Sequence, residues 1–336
     1  VCGYRCRFCA FSKGKLANNL RGTPYDLSLE EIQRRAVEAW QRGGTEVCMQ
    51  GGIHPDYTGE TYLAICRAVK EAVPEMHVHA FSPLEVSQGA RTLGLSVAEF
   101  LIALKEAGLG SLPGTAAEIL DDGVRARLCA DKVSTGEWLS VIETAHRLGL
   151  RSTATIMFGH IERYEHWARH LMRIRALQEE TGGFTEFVPL PFVHMEAPIY
   201  LAGDGASLRE AVAMHAVARL ALNPVIVNIQ ASWVKLGEAG MAAALASGVN
   251  DLGGTLMDES ISRAAGADHG QEMPPHQMID LARASGRIPR QRTTLYGDAP
   301  LPQTRRALQA PPLLQVINTP AGKRARIGSA RAGAGA

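Results

Sequence analysis

Apolar positions along this chain follow two kinds of spacing, which alternate along the sequence. Residues such as Ile32, Ala36 and Ala39 recur every three to four positions, as they do on one face of a helix, and short strand-like runs, which alternate at 77–81, lie between such stretches. The runs predict buried strands at 47–50, 77–81, 151–158, 184–190 and 225–232. The pattern therefore predicts a repeating order of strand and helix.

The starts of several predicted helices carry a serine with a glutamate three residues later, which is the spacing of a capping box. Four such pairs precede apolar helical stretches: Ser28 with Glu31, Ser96 with Glu99, Ser134 with Glu137, and Ser207 with Glu210. Gly43, Gly108 and Gly149 follow three of these stretches and mark the ends of the helices.

Alternating strands and helices predict an α/β fold in which helices cover a parallel sheet. Two features favour a partial TIM-type (β/α) barrel over an open sheet. Neither glycine-rich phosphate loop is present, and polar residues and glycines gather after the strands, where barrel enzymes place their sites. We expect a barrel core at residues 1–255, a helical C-terminal extension packed on it at 256–301, and a disordered tail at 302–336.

Composition narrows the class of protein. The chain has 35 Lys and Arg against 34 Asp and Glu, a net charge of +1, so no nucleic acid partner is expected. No apolar run reaches the ~18 residues that a membrane span needs. Six cysteines in 336 residues form no disulfide framework, and no signal peptide is visible, so we expect a cytoplasmic protein. Cys48, Cys66 and Cys129 are predicted to be thiols of the core.

The first nine residues carry a distinctive motif, in which Cys2, Cys6 and Cys9 have the spacing C-x3-C-x2-C and Phe8 precedes the third cysteine. Three thiolates in a short loop can ligate three irons of a 4Fe-4S cluster, which ordinarily takes four cysteines. The fourth iron is then open to S-adenosylmethionine (SAM), which must bind there before an electron cleaves it. The motif therefore predicts a 4Fe-4S cluster and SAM.

Other interpretations of the motif remain open. Positions i, i+4 and i+7 share one face of a helix, so the three thiols could belong to a core, although Arg5 and Arg7 make a poor buried face. A Cys3His zinc site is a further possibility, yet the first histidine is as distant as His54. A structural zinc protein or an electron-transfer protein is thus the alternative from another class.

Candidate cofactor-binding residues follow the predicted strands. Gln50, Gly51 and Gly52 come after the first strand, where paired glycines allow a ligand close to the backbone and leave amides free for a carboxylate. A simple tight turn explains the same residues equally well. Ser82 follows the second strand, and Glu118 comes after a later loop, where its carboxylate could bind a ribose or an amino group.

Candidate proton-handling residues also lie at strand ends. His54 follows the paired glycines, and His160 and Glu162 follow the strand at 151–158, although a strand-end histidine commonly only forms hydrogen bonds. Glu162, His166 and His170 are four residues apart, as helical metal ligands are, but on an outer helix such a stripe is more typical of a solvated face.

Several longer segments together resemble one family of enzymes. They include C-G-Y-R-C-R-F-C-A-F-S-K-G-K, C-M-Q-G-G-I-H-P, H-A-F-S-P-L-E, L-P-G-T-A-A-E-I-L, T-I-M-F-G-H-I-E, F-V-P-L-P-F-V-H, I-Q-A-S-W-V-K-L-G, N-D-L-G-G-T-L-M-D-E-S-I-S-R-A-A-G-A and R-Q-R-T-T-L-Y-G. The chain resembles the radical SAM enzymes of deazaflavin and menaquinone biosynthesis. It is most similar, from Val1 to about Gly297, to the CofH-type subunit or half of FO synthase, which forms the deazaflavin of coenzyme F420.

This resemblance implies a radical SAM type of partial barrel that acts on tyrosine. SAM would yield a 5′-deoxyadenosyl radical that abstracts hydrogen from tyrosine, whose Cα–Cβ bond would break. The 4-hydroxybenzyl group would then add to 5-amino-6-(D-ribitylamino)uracil. A CofG-type radical SAM subunit or domain would take the product, and a low-potential electron donor would reduce the cluster. A menaquinone-pathway enzyme with another substrate is the alternative within the class.

The resemblance also assigns residues. Cys2, Cys6 and Cys9 would hold the cluster, with Phe8 near the adenine of SAM. The methionine end of SAM would lie along Gln50, Gly51 and Gly52, and Glu118 would also contact the cofactor. His54, His160 and Glu162 are placed at the substrate only by their strand-end positions. Because the family has a strand before the first cysteine, we expect the first barrel strand to be truncated, which leaves a non-functional fragment as a further possibility.

Overall fold

Five parallel strands form the sheet of this computed structural model, which describes residues 2–10, 26–195, 197, 205–257, 259 and 261–313. The strands lie side by side in chain order. They are β1 Glu46–Met49, β2 His77–Ala80, β3 Leu109–Leu112, β4 Arg151–Phe158 and β5 Phe184–Pro191. Sequential parallel order with intervening helices is the arrangement of a barrel wall, so the α/β partial barrel is confirmed.

Helices connect and cover the strands. Those between Leu29 and Thr181 are α1 Leu29–Gln41, α2 Gly59–Ala72, α3 Pro83–Leu93, α4 Val97–Glu106, α5 Asp122–Leu128, α6 Thr135–Arg147 and α7 Tyr164–Thr181. The remaining ones are α8 Leu208–Leu222, α9 Trp233–Ala246, α10 Ile261–Ala264, α11 Pro275–Ala284 and α12 Leu301–Gln309. The predicted pairs at Ser96, Ser134 and Ser207 form complete capping boxes, and Ser28 caps α1 by accepting a hydrogen bond from the Glu31 amide.

The wall continues beyond β5 without regular strands. Ile229 pairs with Phe187, and Gln230 pairs with Asp251, in both cases as isolated parallel bridges. The predicted strand at 225–232 is therefore reduced to this pairing, and a second short segment at Asp251 extends the curve. Residues 2–10 contain no strand, and truncation of the first barrel strand stays a prediction.

The hydrophobic core lies between the sheet and its helices. Its largest fully buried side chains include Trp138, Trp233, Phe100, Phe158 and Phe187. Along β5, Phe187 points to this core and Glu186 lies on the opposite face, as the two-residue period of a strand requires. The inner face of the sheet is therefore free to line a cavity.

The C-terminal segment packs on the barrel. The prediction of a disordered tail from residue 302 is wrong for its first part, because 302–309 belong to α12. Gln303 of α12 is 2% exposed, and its amide donates to the carbonyls of Trp40 and Gly44. Residues 314–336 of the predicted tail lie outside the described residues. None of the helices in the described part of the chain has the length and apolar content to cross a membrane.

Candidate active site

The cysteine loop is tied to the carboxyl ends of the strands by backbone hydrogen bonds. The Gly3 amide donates to the Ile53 carbonyl at 2.8 Å, and the Arg7 amide donates to the Leu128 carbonyl at 2.9 Å. Between them, the Arg5 amide donates to the Asp131 carboxylate at 2.8 Å. These three contacts join the loop to two different strand-end segments and fix its position over the barrel.

The three cysteines are half-buried and face one cavity. Cys2 packs against Ile53 and Leu84, whereas Cys6 and Phe8 pack against the main core. Burial raises the pKa of the Cys6 thiol well above its usual range, and Lys132 opposes that rise. A bound metal would lower this pKa, because thiolates bind metals.

The chemistry of the three thiols fits a cluster, since thiolates are the usual ligands of iron–sulfur clusters. Among the described residues, no three His, Cys, Asp or Glu side chains converge closely enough to hold one metal ion. In a 4Fe-4S cluster each cysteine binds a different iron, so the three sulfurs need not converge on a point. The structure therefore gives no support to the Cys3His zinc interpretation.

The Gln50–Gly52 loop borders the same cavity beside the cysteines. Gln50 and Gly51 are exposed there, and the Gly51 amide donates to a Glu85 carboxylate oxygen at 3.3 Å. A Cβ built on Gly51 would meet no atom within 4 Å. Gly51 thus borders open space, as expected if the loop runs along a ligand; whether Gln50, Gly51 and Gly52 contact SAM stays a prediction.

Ser82 is part of a capping box that the sequence analysis missed. Its amide and its hydroxyl both donate to Glu85 Oε2 at 2.7 Å, so Ser82 and Glu85 cap α3 and hold the Gly51 loop. Burial raises the pKa of Glu85, and the hydrogen bonds from Ser82 and Gly51 oppose it. The S-x-x-E signal for this cap was present in the sequence. Ser82 lines the cavity, and its assignment to the cofactor stays a prediction.

Glu118 has a buried partner that no motif indicated. Lys132 Nζ lies 2.7 Å from Glu118 Oε1, and the two side chains are 11% and 12% exposed. Lys132 also lies 5.3 Å from the centre of the Phe8 ring, so it connects Glu118 with the cysteine loop. Burial lowers the pKa of Lys132, but Glu118, Cys6 and Cys129 together raise it above its usual range, so the lysine is charged. All three residues line the cavity.

The predicted proton-handling residues do not come together. His54 lines the cavity, where its Nδ1 accepts a hydrogen bond from the Asp56 amide at 3.2 Å. His160 and Glu162 lie outside the cavity lining and bind each other, with His160 Nδ1 2.8 Å from Glu162 Oε2. Glu162 also accepts from the Trp167 indole at 2.9 Å, so the structure uses these side chains to shape the end of β4. A catalytic role for the three residues stays a prediction.

The stripe on α7 is not the solvated face that we expected. His170 is fully buried, and its Nδ1 accepts a hydrogen bond from the Leu120 amide at 3.0 Å. Burial lowers the pKa of His170 to about 3, so it is neutral and structural. The reason is that α7 packs this side against the loop after β3. No metal site with Glu162 and His166 is formed among the described residues.

One cavity of ≈ 3070 Å³ joins the cysteine loop, the Gln50–Gly52 loop, Ser82, Glu118 and His54, and it has room for a cofactor together with a substrate. One sequence expectation fails here. Cys48 is not a core thiol, since it is exposed on the cavity side of β1, whereas Cys66 and Cys129 are buried as predicted. His79 and Glu186 also face the cavity, so its inner wall is partly polar.

A half-barrel of parallel strands with three cysteines over its carboxyl end defines a class of protein, and comparison with known proteins agrees. The model of the Radical SAM superfamily matches residues 1–174, and that of the CofH/MqnC C-terminal region matches residues 181–305. The chain belongs to the radical SAM superfamily. Within it, this chain is a member of the family that contains FO synthase and the CofH-type tyrosine hydroxyphenyl transferases.

Two relatives support this membership. The chain is 51% identical over 302 residues to the 5-amino-6-(D-ribitylamino)uracil--L-tyrosine 4-hydroxyphenyl transferase of Methanocaldococcus jannaschii, covering 88% of this chain and 83% of that protein. It is 53% identical over 325 residues to FO synthase of Streptomyces coelicolor, covering 95% of this chain. The chain spans 37% of the length of that FO synthase.

A solved structure supports the fold. The crystal structure of methylornithine synthase (PylB) matches with a TM-score of 0.64 at 20% sequence identity, covering 86% of this chain and 80% of that one.

Proposed function

We propose that this chain is a radical SAM transferase that joins the 4-hydroxybenzyl group of tyrosine to 5-amino-6-(D-ribitylamino)uracil during formation of the deazaflavin of coenzyme F420. The observation that carries the proposal is the cysteine loop docked against the Gln50–Ile53 loop over one large cavity. The family membership and the name of the Methanocaldococcus relative support the substrate pair.

The residues present fit the cofactors that this chemistry needs. Cys2, Cys6 and Cys9 would hold a 4Fe-4S cluster, and SAM would lie between the cluster, Gly51 and Glu118. When bound, these groups would supply a carbon radical that abstracts hydrogen from the substrate.

The chain's own side chains would position the reactants and keep water away. Glu85 fixes the Gly51 loop through its amide, and Lys132 neutralises Glu118 beside the cysteine loop. Val188 and Leu190 on β5 form an apolar wall below the loop. Because a carbon radical attacks nearly any C–H bond, an apolar wall beside the reacting groups favours a single outcome.

Partners follow from the longer relatives. Because the chain matches 37% of the length of FO synthase, we propose that a second radical SAM unit of the CofG type takes the product and closes the ring. A low-potential electron donor must reach the cluster, and the half-buried cysteine loop offers that access.

The test is an anaerobic assay of the reconstituted protein with SAM, tyrosine and the ribitylaminouracil. We expect 5′-deoxyadenosine together with the hydroxybenzyl adduct, both followed by mass spectrometry. Cys6→Ser should lose the cluster absorbance near ~400 nm and all turnover. Cys48→Ser, which removes a cavity thiol outside the loop, should retain both. Turnover of a menaquinone-pathway substrate, and none with this pair, would overturn the proposal.

A further inference from the structure

The inner wall of the barrel changes character with depth. Glu186, Val188 and Leu190 alternate along β5 and all face the cavity. At about 3.3 Å per residue, Glu186 lies roughly 13 Å deeper than Leu190, which is nearest the cysteine loop. The upper part of this wall is therefore apolar, and its deep end carries a carboxylate that is 6% exposed.

The deep end is closed by the C-terminal segment. Arg292 Nη2 donates to Glu186 Oε2 at 3.0 Å, and the Arg292 Nε donates to Asp251 Oδ2. The Tyr296 hydroxyl contacts the same two oxygens, at 2.5 Å from Glu186 and 2.9 Å from Asp251. Thr294 further donates to Glu46 at the start of β1. Two carboxyl groups thus share one arginine, so this floor carries no excess positive charge.

The two carboxylates differ in one respect. Asp251 uses both oxygens within the protein, since Oδ1 accepts from the Gly253 amide at 2.7 Å. Glu186 receives its contacts from Arg292, Tyr296 and Gln230 on Oε2 alone. Its Oε1 has no hydrogen-bond partner among the described residues and is not sealed from the cavity.

A second unfilled group faces the same space. His79 Nδ1 lies 2.7 Å from the Ser111 hydroxyl, which is also 2.7 Å from His77 Nε2. The other ring nitrogen of His79, Nε2, has no partner in the described part of the chain, although the residue is 6% exposed and lines the cavity. Glu186 Oε1 and His79 Nε2 are therefore two groups available to a ligand.

We propose that Glu186 and His79 bind the hydroxyl groups of the ribityl chain of the pyrimidine substrate at the floor of the barrel. This inference rests on the proposed function. Because Arg292 is already shared by two carboxyl groups, the floor offers no free cation to a phosphate or to the tyrosine carboxylate, whereas the hydroxyls of a neutral polyol can form hydrogen bonds with Glu186 and His79. With the chain held at the floor, the uracil ring lies upward, along Val188 and Leu190, toward the cysteine loop.

Steady-state kinetics test the proposal with matched variants. Glu186→Gln should raise the KM for the ribitylaminouracil by about 10- to 100-fold, as expected for a lost hydrogen bond to a charged group. The KM for tyrosine and kcat should stay within about twofold. His79→Phe should also raise the KM for the ribitylaminouracil. The Ser111 hydroxyl would not lose all its partners in this variant, because it still contacts His77. Asp251→Asn removes the neighbouring charge without removing an unfilled oxygen, so the KM for the pyrimidine should change little.

Equal effects of Glu186→Gln and Asp251→Asn would overturn the proposal, because they would indicate a purely structural cluster. An unchanged KM in Glu186→Gln would overturn it as well. Equilibrium dialysis separates this inference from the proposed function. If the wild-type protein binds the ribitylaminouracil more tightly than a diaminouracil without the ribityl chain, and Glu186→Gln abolishes the difference, the site stands even without turnover. No preference for the ribityl compound would overturn the site.

Discussion

A methyl group added at Gly51 should affect ligand binding without affecting folding. Its backbone is not in the left-handed region, and a Cβ would enter empty cavity rather than protein atoms. Gly51→Ala should therefore leave the free energy of unfolding and the cluster content nearly unchanged while weakening SAM binding at least tenfold. Isothermal titration of the reconstituted protein with SAM measures the effect.

The control for Gly51 is Gly136→Ala on α6, where a Cβ also meets no atom within 4 Å but lies on the exposed outer surface. It should bind SAM as the unchanged protein does. If Gly51→Ala also binds SAM normally, the Gln50–Gly52 loop does not contact the cofactor.

Lys132 tests whether the buried ion pair supports the cysteine loop. Lys132→Met leaves the Glu118 carboxylate buried without its cation, which costs about 3–5 kcal/mol for a pair of this kind. The double variant Lys132→Met with Glu118→Gln should recover much of that loss, because no unpaired charge remains. Chemical denaturation of the unchanged protein, Lys132→Met, Glu118→Gln and the double variant gives the coupling free energy of the pair.

An exposed pair supplies the comparison for Lys132. Arg34→Met removes a partner of Glu31 on α1, where the side chains are 59% and 31% exposed, and should cost much less stability than Lys132→Met, because water screens an exposed pair. If Lys132→Met and Arg34→Met lose similar amounts of unfolding free energy, the buried pair contributes no more to stability than an exposed pair does.

Residues such as Lys132 mark the limit of what the sequence could predict about the site. Cys2, Cys6 and Cys9 are close in sequence, so their spacing alone indicated a shared ligand. Lys132 comes from a loop with no motif, and it meets Glu118 only because both loops cross the same strand ends. Such pairing depends on tertiary contacts that periodicity does not encode.

At the scale of elements, Gln303 ties α12 to the turn before β1. Gln303 donates to the carbonyls of Trp40 and Gly44 at 3.1 and 3.0 Å. Gln303→Leu should leave the Gly44 carbonyl without this donor, at about 1–3 kcal/mol, and release α12 from the turn before β1, whereas the Trp40 carbonyl still accepts from the Gly43 amide at 3.0 Å. Hydrogen–deuterium exchange should then increase in α12 and at residues 40–45.

The same substitution at Gln309, which is exposed at the end of α12, is the matched control and should leave exchange unchanged. Equal exchange in the Gln303 and Gln309 variants would mean that α12 is held by other contacts.

The elements that could be predicted from the sequence are those whose signals come from adjacent residues. Helices with a serine–glutamate cap were predicted near their true starts because the cap is formed by adjacent residues. The segment 225–232 was predicted as a strand from its apolar run, but strand pairing requires a partner, and only Ile229 and Gln230 find one. For α12 the apolar signal is weak, since its anchor is a polar side chain.

At the scale of the whole molecule, the parallel order of strands followed from the alternation of elements, whereas the polar floor of the barrel did not. In the sequence, Glu186 is a polar residue inside an otherwise apolar predicted strand. Its partner Arg292 lies 106 positions away. Only the folded chain brings the C-terminal segment into the barrel. The same burial that closes the floor also sets how the molecule responds to pH.

Buried histidines should make the protein less stable as the pH falls below neutrality. Burial lowers the pKa of His79 and His146 to about 4 and that of His170 to about 3. In the unfolded chain a histidine titrates near pH ~6.5, so between about pH 6.5 and 4 the unfolded state binds more protons. Each group then lowers the free energy of unfolding by up to about 1.4 kcal/mol per pH unit. Burial and Asp251 raise the pKa of Glu186 to about 7. Glu186 therefore binds a proton in the folded state over part of this range, which offsets the effect of one of the three histidines.

His146→Gln isolates one of these protons. His146 binds the hydroxyls of Thr181 and Ser152 and lies outside the cavity lining, so its loss should destabilise the protein at pH 7. The variant should then lose stability less steeply on acidification, and the gap to the unchanged protein should narrow between pH 7 and 5. Denaturation at several pH values measures both slopes, with His276→Gln on the exposed side of α11 as the control. Parallel slopes for all three proteins would mean that His146 is protonated equally in the folded and unfolded states, and that its burial does not exclude the charge.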